Sequence, residues 1–312
     1  MKGENELLSK KNPKNERVLR EVNYFLPTKI LFMKFADIKN DVAFRKIFGN
    51  QKKSIVLISF LNAVLDLDGQ NRITKVTIID PYLLPRIAGE KASIIDVRAT
   101  DQRGRQFIVE MQVADRKGFE KRVQYYASRD YSMQIERGQD YPKLKPTYFV
   151  GILNFGIGFG KHYLAKHYSI EEETGKSVLN DIQHRFIQLT KFKKKRNELI
   201  TLVDKWTFFI KNAPNLTVIP DNVEDEGLKI AYNEADRHTW TKDELIAYDN
   251  ASMREQDEIG AIELALEKGK EEKEREAVIG LHENSVPLPI IAKSLKIAEE
   301  KVQQIIADYQ AR

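Results

Sequence analysis

A chain of 312 residues with 51 Lys+Arg against 46 Asp+Glu, a net charge of +5, is mildly basic, a balance that suits a nucleic-acid partner without requiring one. Its length allows one substantial core and a smaller module. The lack of cysteine excludes disulfides and thiolate chemistry, the five histidines have no metal-ligand spacing, and no apolar run reaches the length of a membrane span or a signal-peptide core, so a cytoplasmic protein with no membrane partner is expected.

Residues 1–32 are polar and lysine-rich with Pro13 and Pro27, and are expected to form a flexible basic arm. The pattern turns helical at Asp37: Asp37 or Asn40 caps a segment in which Val42, Phe44, Ile47 and Phe48 make an apolar stripe that Gly49 ends. A second helix, Ser54 to Leu65, carries Ile55, Ile58, Leu61 and Leu65 at helical spacing. Arg72 to Ile79 reads as a first strand, β-branched enough to be buried.

The stretch Lys91 to Val113, KASIIDVRATDQRGRQFIVEMQV, reads as a hairpin. Ile95, Val97 and Ala99 point one way and Ile94, Asp96 and Arg98 the other; after the turn Asp101-Gln102-Arg103-Gly104, Phe107, Val109 and Met111 alternate with Ile108, Glu110 and Gln112. Such a hairpin sets Asp96 beside Glu110. Two carboxylates about 4.5 Å apart repel by roughly 4 kcal/mol at an effective dielectric near 20, so the pair needs a proton or a cation, with magnesium the natural choice, or else both acids are solvated on an open face. Lys91 either reaches a phosphate at the entrance to such a site or is a loop lysine.

Gly118 to Arg137 is expected to be helical, with Arg122, Tyr126, Arg129 and Met133 on one side and Val123, Ala127 and Ile135 toward the core. Interleaved arginine and tyrosine suit a phosphate-gripping face, and equally an amphipathic helix with core tyrosines. Thr147 to Phe155 is a continuous apolar strand, buried on both faces. Gly156, Gly158 and Gly160 lack a following Gly-Lys-Ser/Thr and so make no nucleotide cradle. A strand at Phe186 to Leu189 precedes a helix carrying the run KFKKKR, in which Lys193, Lys194 and Lys195 either contact phosphates or form a solvated face. From Glu224 the chain is helical and charged. Its last piece, Val286 to Tyr309, holds two short amphipathic helices; the acidic start of the second, Glu299-Glu300, suits a DNA groove poorly and favours helix pairing between subunits, hence a homo-oligomer.

The order DIKNDVAFRKIFG at 37–49, Asp96 followed by Glu110-Met111-Gln112, RVQYYASRDYSMQIERGQDYPKLKPTYFVGILNF at 122–155 and a Lys/Glu-rich tail resembles the PD-(D/E)XK nuclease superfamily, in its branch of recombination-promoting nucleases and transposase-like proteins. The resemblance covers most of the chain from Met33. It implies an α/β fold with a restriction-endonuclease-like core of helix, three-stranded β-meander, helix and strand, its mixed sheet flanked by helices, and a helical C-terminal tail. The implied organisation is an arm at 1–32, a nuclease-like domain at 33–223, a charged helical linker at 224–282 and a small helical module at 283–312. It further implies Mg2+, with Mn2+ able to substitute, on Asp96, Glu110 and the Met111 carbonyl, with Asp96 and Glu110 catalytic beside Gln112, which positions water or a phosphate oxygen; Gln112 stands where many relatives carry lysine, and Ile95 where they carry proline. In this fold the first helix flanks the cleft, which makes Asp41 and Lys46 accessory candidates beside Tyr126, while Arg122 or Arg129 is a source of the charge that Gln112 lacks. The expected activity is metal-dependent endonucleolytic hydrolysis of DNA, promoting breakage and recombination; the alternatives are a non-cleaving DNA-binding or interaction protein on the same scaffold, and a nuclease acting on RNA.

Overall fold

Asn40 opens the first helix of the computed structural model, which describes residues 33–83, 93–158 and 160–311, all within the unit Met33–Arg312. Its side-chain oxygen accepts from the Val42 and Ala43 amides, satisfying two donors that a helix start leaves over, and helix α1 (Asp41–Phe48) stops at Gly49. α1 buries Phe44, Ile47 and Phe48 and turns Asp41 and Arg45 outward. Helix α2 (Ile55–Leu65) is buried almost all round, and its two buried polar residues are both partnered. Ser59 donates to Asp225 at 2.6 Å and accepts from the Trp206 indole at 3.0 Å. Asn62 clasps the backbone of Ile73, donating to its carbonyl at 2.9 Å and accepting from its amide at 2.8 Å.

That clasp withholds Ile73 from a ladder, so the strand expected from Arg72 begins only at β1 (Val76–Ile79). Two short strands, β2 (Tyr82–Leu83) and β3 (Ser93–Ile94), pair separately. The hairpin then forms as the alternation requires: β4 (Val97–Asp101) runs antiparallel to β5 (Gln106–Gln112), with Val97 opposite Val109 and Ala99 opposite Phe107. Gly104 takes the left-handed conformation at φ 79° that the turn demands. Helix α3 (Phe119–Ser132) ends five residues short of Arg137, because the Gln134 amide turns back to bond both the carbonyl and the amide of Lys145. β6 (Thr147–Leu153), β7 (Leu164–His167) and β8 (Ile182–Gln188) complete a sheet in the order β1-β4-β5-β6-β8-β7, antiparallel through the meander and at β7, parallel across β5-β6-β8.

One face of the sheet packs Val97, Phe107, Val109, Val150 and Ile187 against α1, α2, α4 (Leu202–Asn212) and α5 (Glu226–Ala235). The other packs Ile108, Phe149 and Phe186 against Phe119, Val123 and Ala127 of α3. This is the expected α/β core of helix, three-stranded meander, helix and strand, with the mixed sheet flanked by helices. Ile95 departs from the expected alternation. It joins the α3 cluster rather than the Val97 cluster, since the chain breaks from ladder geometry at Asp96, between β3 and β4.

The segment 224–282, read as a charged linker, enters the main core with its first helix: Leu228, Ala231, Tyr232 and Ala235 of α5 are buried there. Gly227 permits that contact, as a Cβ at this position would lie 2.5 Å from the Ser59 Cβ and 2.7 Å from the Ile55 carbonyl. α6 (Lys242–Glu283) starts at a Thr241/Glu244 capping box and buries Tyr248 and Ala251 on α1, then runs largely exposed to Val278. α7 (Leu288–Leu295) and α8 (Glu299–Gln310) fold back on its end, where Val278, Ile291, Ala292, Val302 and Ile306 bury one another. The apolar residues read as an intersubunit pairing surface are thus largely used within the chain. The KFKKKR run lies in the connection between β8 and α4, with only Arg196 entering a short 3-10 helix, because the Lys191 ammonium bonds the Ile157 and Gly160 carbonyls at 3.1 and 2.8 Å and Phe192 is buried. Among the described residues no helix is long and apolar enough to cross a membrane.

Candidate active site

The hairpin register decides where the acids meet. The β4–β5 ladder ends at the pair Val97 and Val109, one residue short of Asp96 and Glu110, whose charges act on each other there. Asp96, freed from the ladder, uses its side chain where its backbone stops: Oδ2 accepts from the Met111 amide at 2.9 Å, and Oδ1 faces the Arg45 guanidinium at 3.2 Å. Glu110 is 7 % exposed, and among the described residues its carboxyl makes no hydrogen bond. Burial, reinforced by the neighbouring Asp96 charge, pushes the Glu110 carboxyl up to about 8 against the pull of Arg122 and Arg45. Asp96 is raised too, by burial, with the Met111 amide and Arg45 working against the rise. A pair of acids in this state carries a proton near neutrality unless a cation displaces it.

A cleft of about 380 Å3 opens on Asp96, Met111 and Gln112. Asp41 and Lys39 lie on its α1 side, and Arg254, Glu255 and Glu258 of α6 form the facing wall. Arg116 spans the two sides, donating to Glu258 at 2.6 Å. Burial raises the Glu255 carboxyl, and the nearby Asp37 adds to the rise while Lys39 opposes it. Behind Glu110, the β6 neighbour is Gly151, where a Cβ would lie 2.9 Å from the Phe186 ring, so the sheet next to the acid is closely filled.

The donor set suits a hard divalent ion: two carboxylates and a main-chain oxygen, without sulfur or imidazole. Among the described residues no group of three or more His, Cys, Asp or Glu side chains could hold a metal ion. Gln112 is tied at both ends. Its amide nitrogen donates to the Ala114 carbonyl at 3.0 Å, and its oxygen accepts from Arg122, whose guanidinium also lies over the Phe119 ring at 5.6 Å.

The remaining candidates are dispersed. Lys46 pairs with Glu244 at 2.5 Å and lies over Trp240, away from the acids. Arg129 is buried on α3 and donates to the Tyr125 hydroxyl at 2.7 Å, while Tyr126 packs on the α3 cluster. Lys193, Lys194 and Lys195 border a different hollow, beside Lys211, and Lys194 is held by Asp204 at 2.7 Å. Lys91 lies outside the described residues. Two contributors escaped the sequence reading. Arg45 is four residues after Asp41 on the unburied side of α1, a spacing that marks them as neighbours but not what they face. The α6 wall comes from residues whose charge reads as solvation.

A family model described as PD-(D/E)XK nuclease family transposase matches residues 38–265 of the chain. No curated protein and no solved structure matches it.

Proposed function

Since the chain belongs to the PD-(D/E)XK nuclease family, we propose that it is a magnesium-dependent endonuclease that hydrolyses phosphodiester bonds in DNA, its breaks promoting recombination. The observation that carries this reading is Glu110, a residue 7 % exposed whose carboxyl is unbonded among the described residues and feels the charge of a second acid, Asp96, that lines the cleft. A fold held together by marginal energies does not keep an unpaired buried acid for stability.

Asp96, Glu110 and the Met111 carbonyl are the proposed ligands of Mg2+, for which Mn2+ substitutes. When bound, the ion supplies activation of water and charge neutralisation at the phosphate. For that to happen the acid pair must give up its proton, while Arg45 stays beside Oδ1 of Asp96 and helps to hold that carboxylate ionised.

A second reading, a non-cleaving nucleic-acid-binding or interaction protein on this scaffold, draws on two features: Gln112 in place of a lysine, and an Asp96 whose two oxygens are already engaged. Supercoiled plasmid separates the two. Nicking that requires magnesium, stops with chelator and is lost in Asp96→Ala supports the nuclease; undiminished binding by that variant, with no nicking by the wild type, sinks it. Offering RNA alongside DNA tests the choice of polymer.

A further inference from the structure

We propose that Arg122 of α3 is the catalytic cation of this site and that Gln112 is the residue that positions it, so that two side chains do the work of the single lysine found at the third motif position of many relatives. The inference rests on the nuclease reading above and adds to it the source of positive charge at the transition state.

Gln112 lines the cleft, yet its carboxamide is already spent. The oxygen accepts from Arg122 and the nitrogen donates to the Ala114 carbonyl. An amide bonded at both ends does not turn to orient a water; it acts as a bracket. What it brackets is an arginine whose charge is already felt at Glu110 and whose plane is supported by the Phe119 ring at 5.6 Å. Most nearby cations differ from it. Arg45 faces Asp96 at 3.2 Å, Lys39 faces Asp37 at 2.6 Å and Arg116 faces Glu258 at 2.6 Å, each with its charge matched by a carboxylate, whereas Arg254 on the α6 wall has no ion pair among the described residues but is not among the charges felt at Glu110. Arg122 has a neutral amide and a ring, and among the described residues no carboxylate within ion-pair distance. Its guanidinium has five N–H donors, and the bracket uses one nitrogen, so the fork retains donors for an anion.

The step this serves balances as simple hydrolysis. The oxygen of water bonds to phosphorus, the bond from phosphorus to the leaving sugar oxygen breaks, one proton of the water ends on that sugar oxygen and the other passes to solvent. Arg122 neither gains nor loses a proton. It donates N–H to a non-bridging oxygen, where charge builds up, a contribution of the kind whose removal costs about 100-fold in turnover.

The test is a set of plasmid-cleavage measurements in magnesium on the full chain, with melting curves to show that each variant is folded. Arg122→Met is expected to lower kcat about 100-fold while KM for DNA and the affinity for Mn2+, read by titration calorimetry, stay close to wild type. Arg122→Lys is expected to retain part of the loss. Adding Gln112→Lys to Arg122→Met is expected to restore most of the turnover, since it returns the charge to the motif position; a purely structural role for Arg122 predicts no such rescue. Wild-type turnover in Arg122→Met, or a folded double variant as slow as Arg122→Met, overturns the assignment and leaves the nuclease reading standing. A wild type inert with both magnesium and manganese removes the nuclease reading and this role with it.

Discussion

The two ends of the β4–β5 hairpin each hold a buried acid, and they are treated oppositely. At the turn, Asp101 is 7 % exposed and fully bonded: Oδ1 accepts from the Arg103 and Arg105 amides at 2.9 Å each, and Oδ2 faces the Arg105 guanidinium at 2.6 Å. At the other end, Glu110 is equally buried but feels the charge of another carboxyl and takes no hydrogen bond among the described residues. The first acid shapes the turn and would be missed by the fold. The second costs the fold and sits directly before Met111 and Gln112, which line the cleft. Burial alone therefore does not distinguish these two acids; the state of their partners does.

Glu110→Gln gives the largest contrast. It should reduce metal-dependent nicking to the level seen with chelator, while the metal-free variant melts no lower than wild type at pH 8; an active variant would mean that the pair holds no ion. Asp101→Ala should do the reverse, lowering stability by about 3–5 kcal/mol in denaturant titrations because a buried guanidinium loses its counter-charge, with cleavage per folded molecule retained. The pH dependence sharpens the same difference. The folded Glu110 carboxyl holds its proton to about 8 and the unfolded one only to about 4.5, so between these values the folded state binds more protons and metal-free stability falls as pH rises, by on the order of a few kcal/mol. Glu110→Gln should flatten that slope, and manganese affinity should strengthen up to about pH 8 as the proton to be displaced is lost. The smallest contrast lies among the lysines. Lys193→Ala should reduce the salt slope of DNA binding by about 1, and Lys194→Ala by less, since Asp204 already matches its charge; equal slopes would remove this basic hollow from the binding surface.

Much of the hairpin was legible before any coordinates. A period of two on either side of a Gly-containing turn fixes the register, which brings Asp96 to the Glu110–Met111 end of β5. The limits of that legibility are tertiary. Nothing local says that the Asn62 side chain captures Ile73 and delays β1, or that the ladder breaks at Asp96 and sends Ile95 to the α3 cluster. Arg45 was hidden for a similar reason: spacing along α1 identifies an unburied side, whereas its approach to Asp96 depends on how that helix lies across the sheet. The α6 wall was read as solvated because Arg254, Glu255 and Glu258 sit in a charged stretch, and charge along a helix records nothing about what crosses beside it. Arg129 shows the converse, an arginine on a helix face that ends up buried beside Tyr125.

Helix α6 is continuous for 42 residues, and it is at once the far wall of the cleft near Glu258 and the seat of the α7–α8 cluster at Val278. At 1.5 Å per residue those two positions are about 30 Å apart along a single stiff rod. The C-terminal cluster is therefore spaced from the cleft as by a ruler.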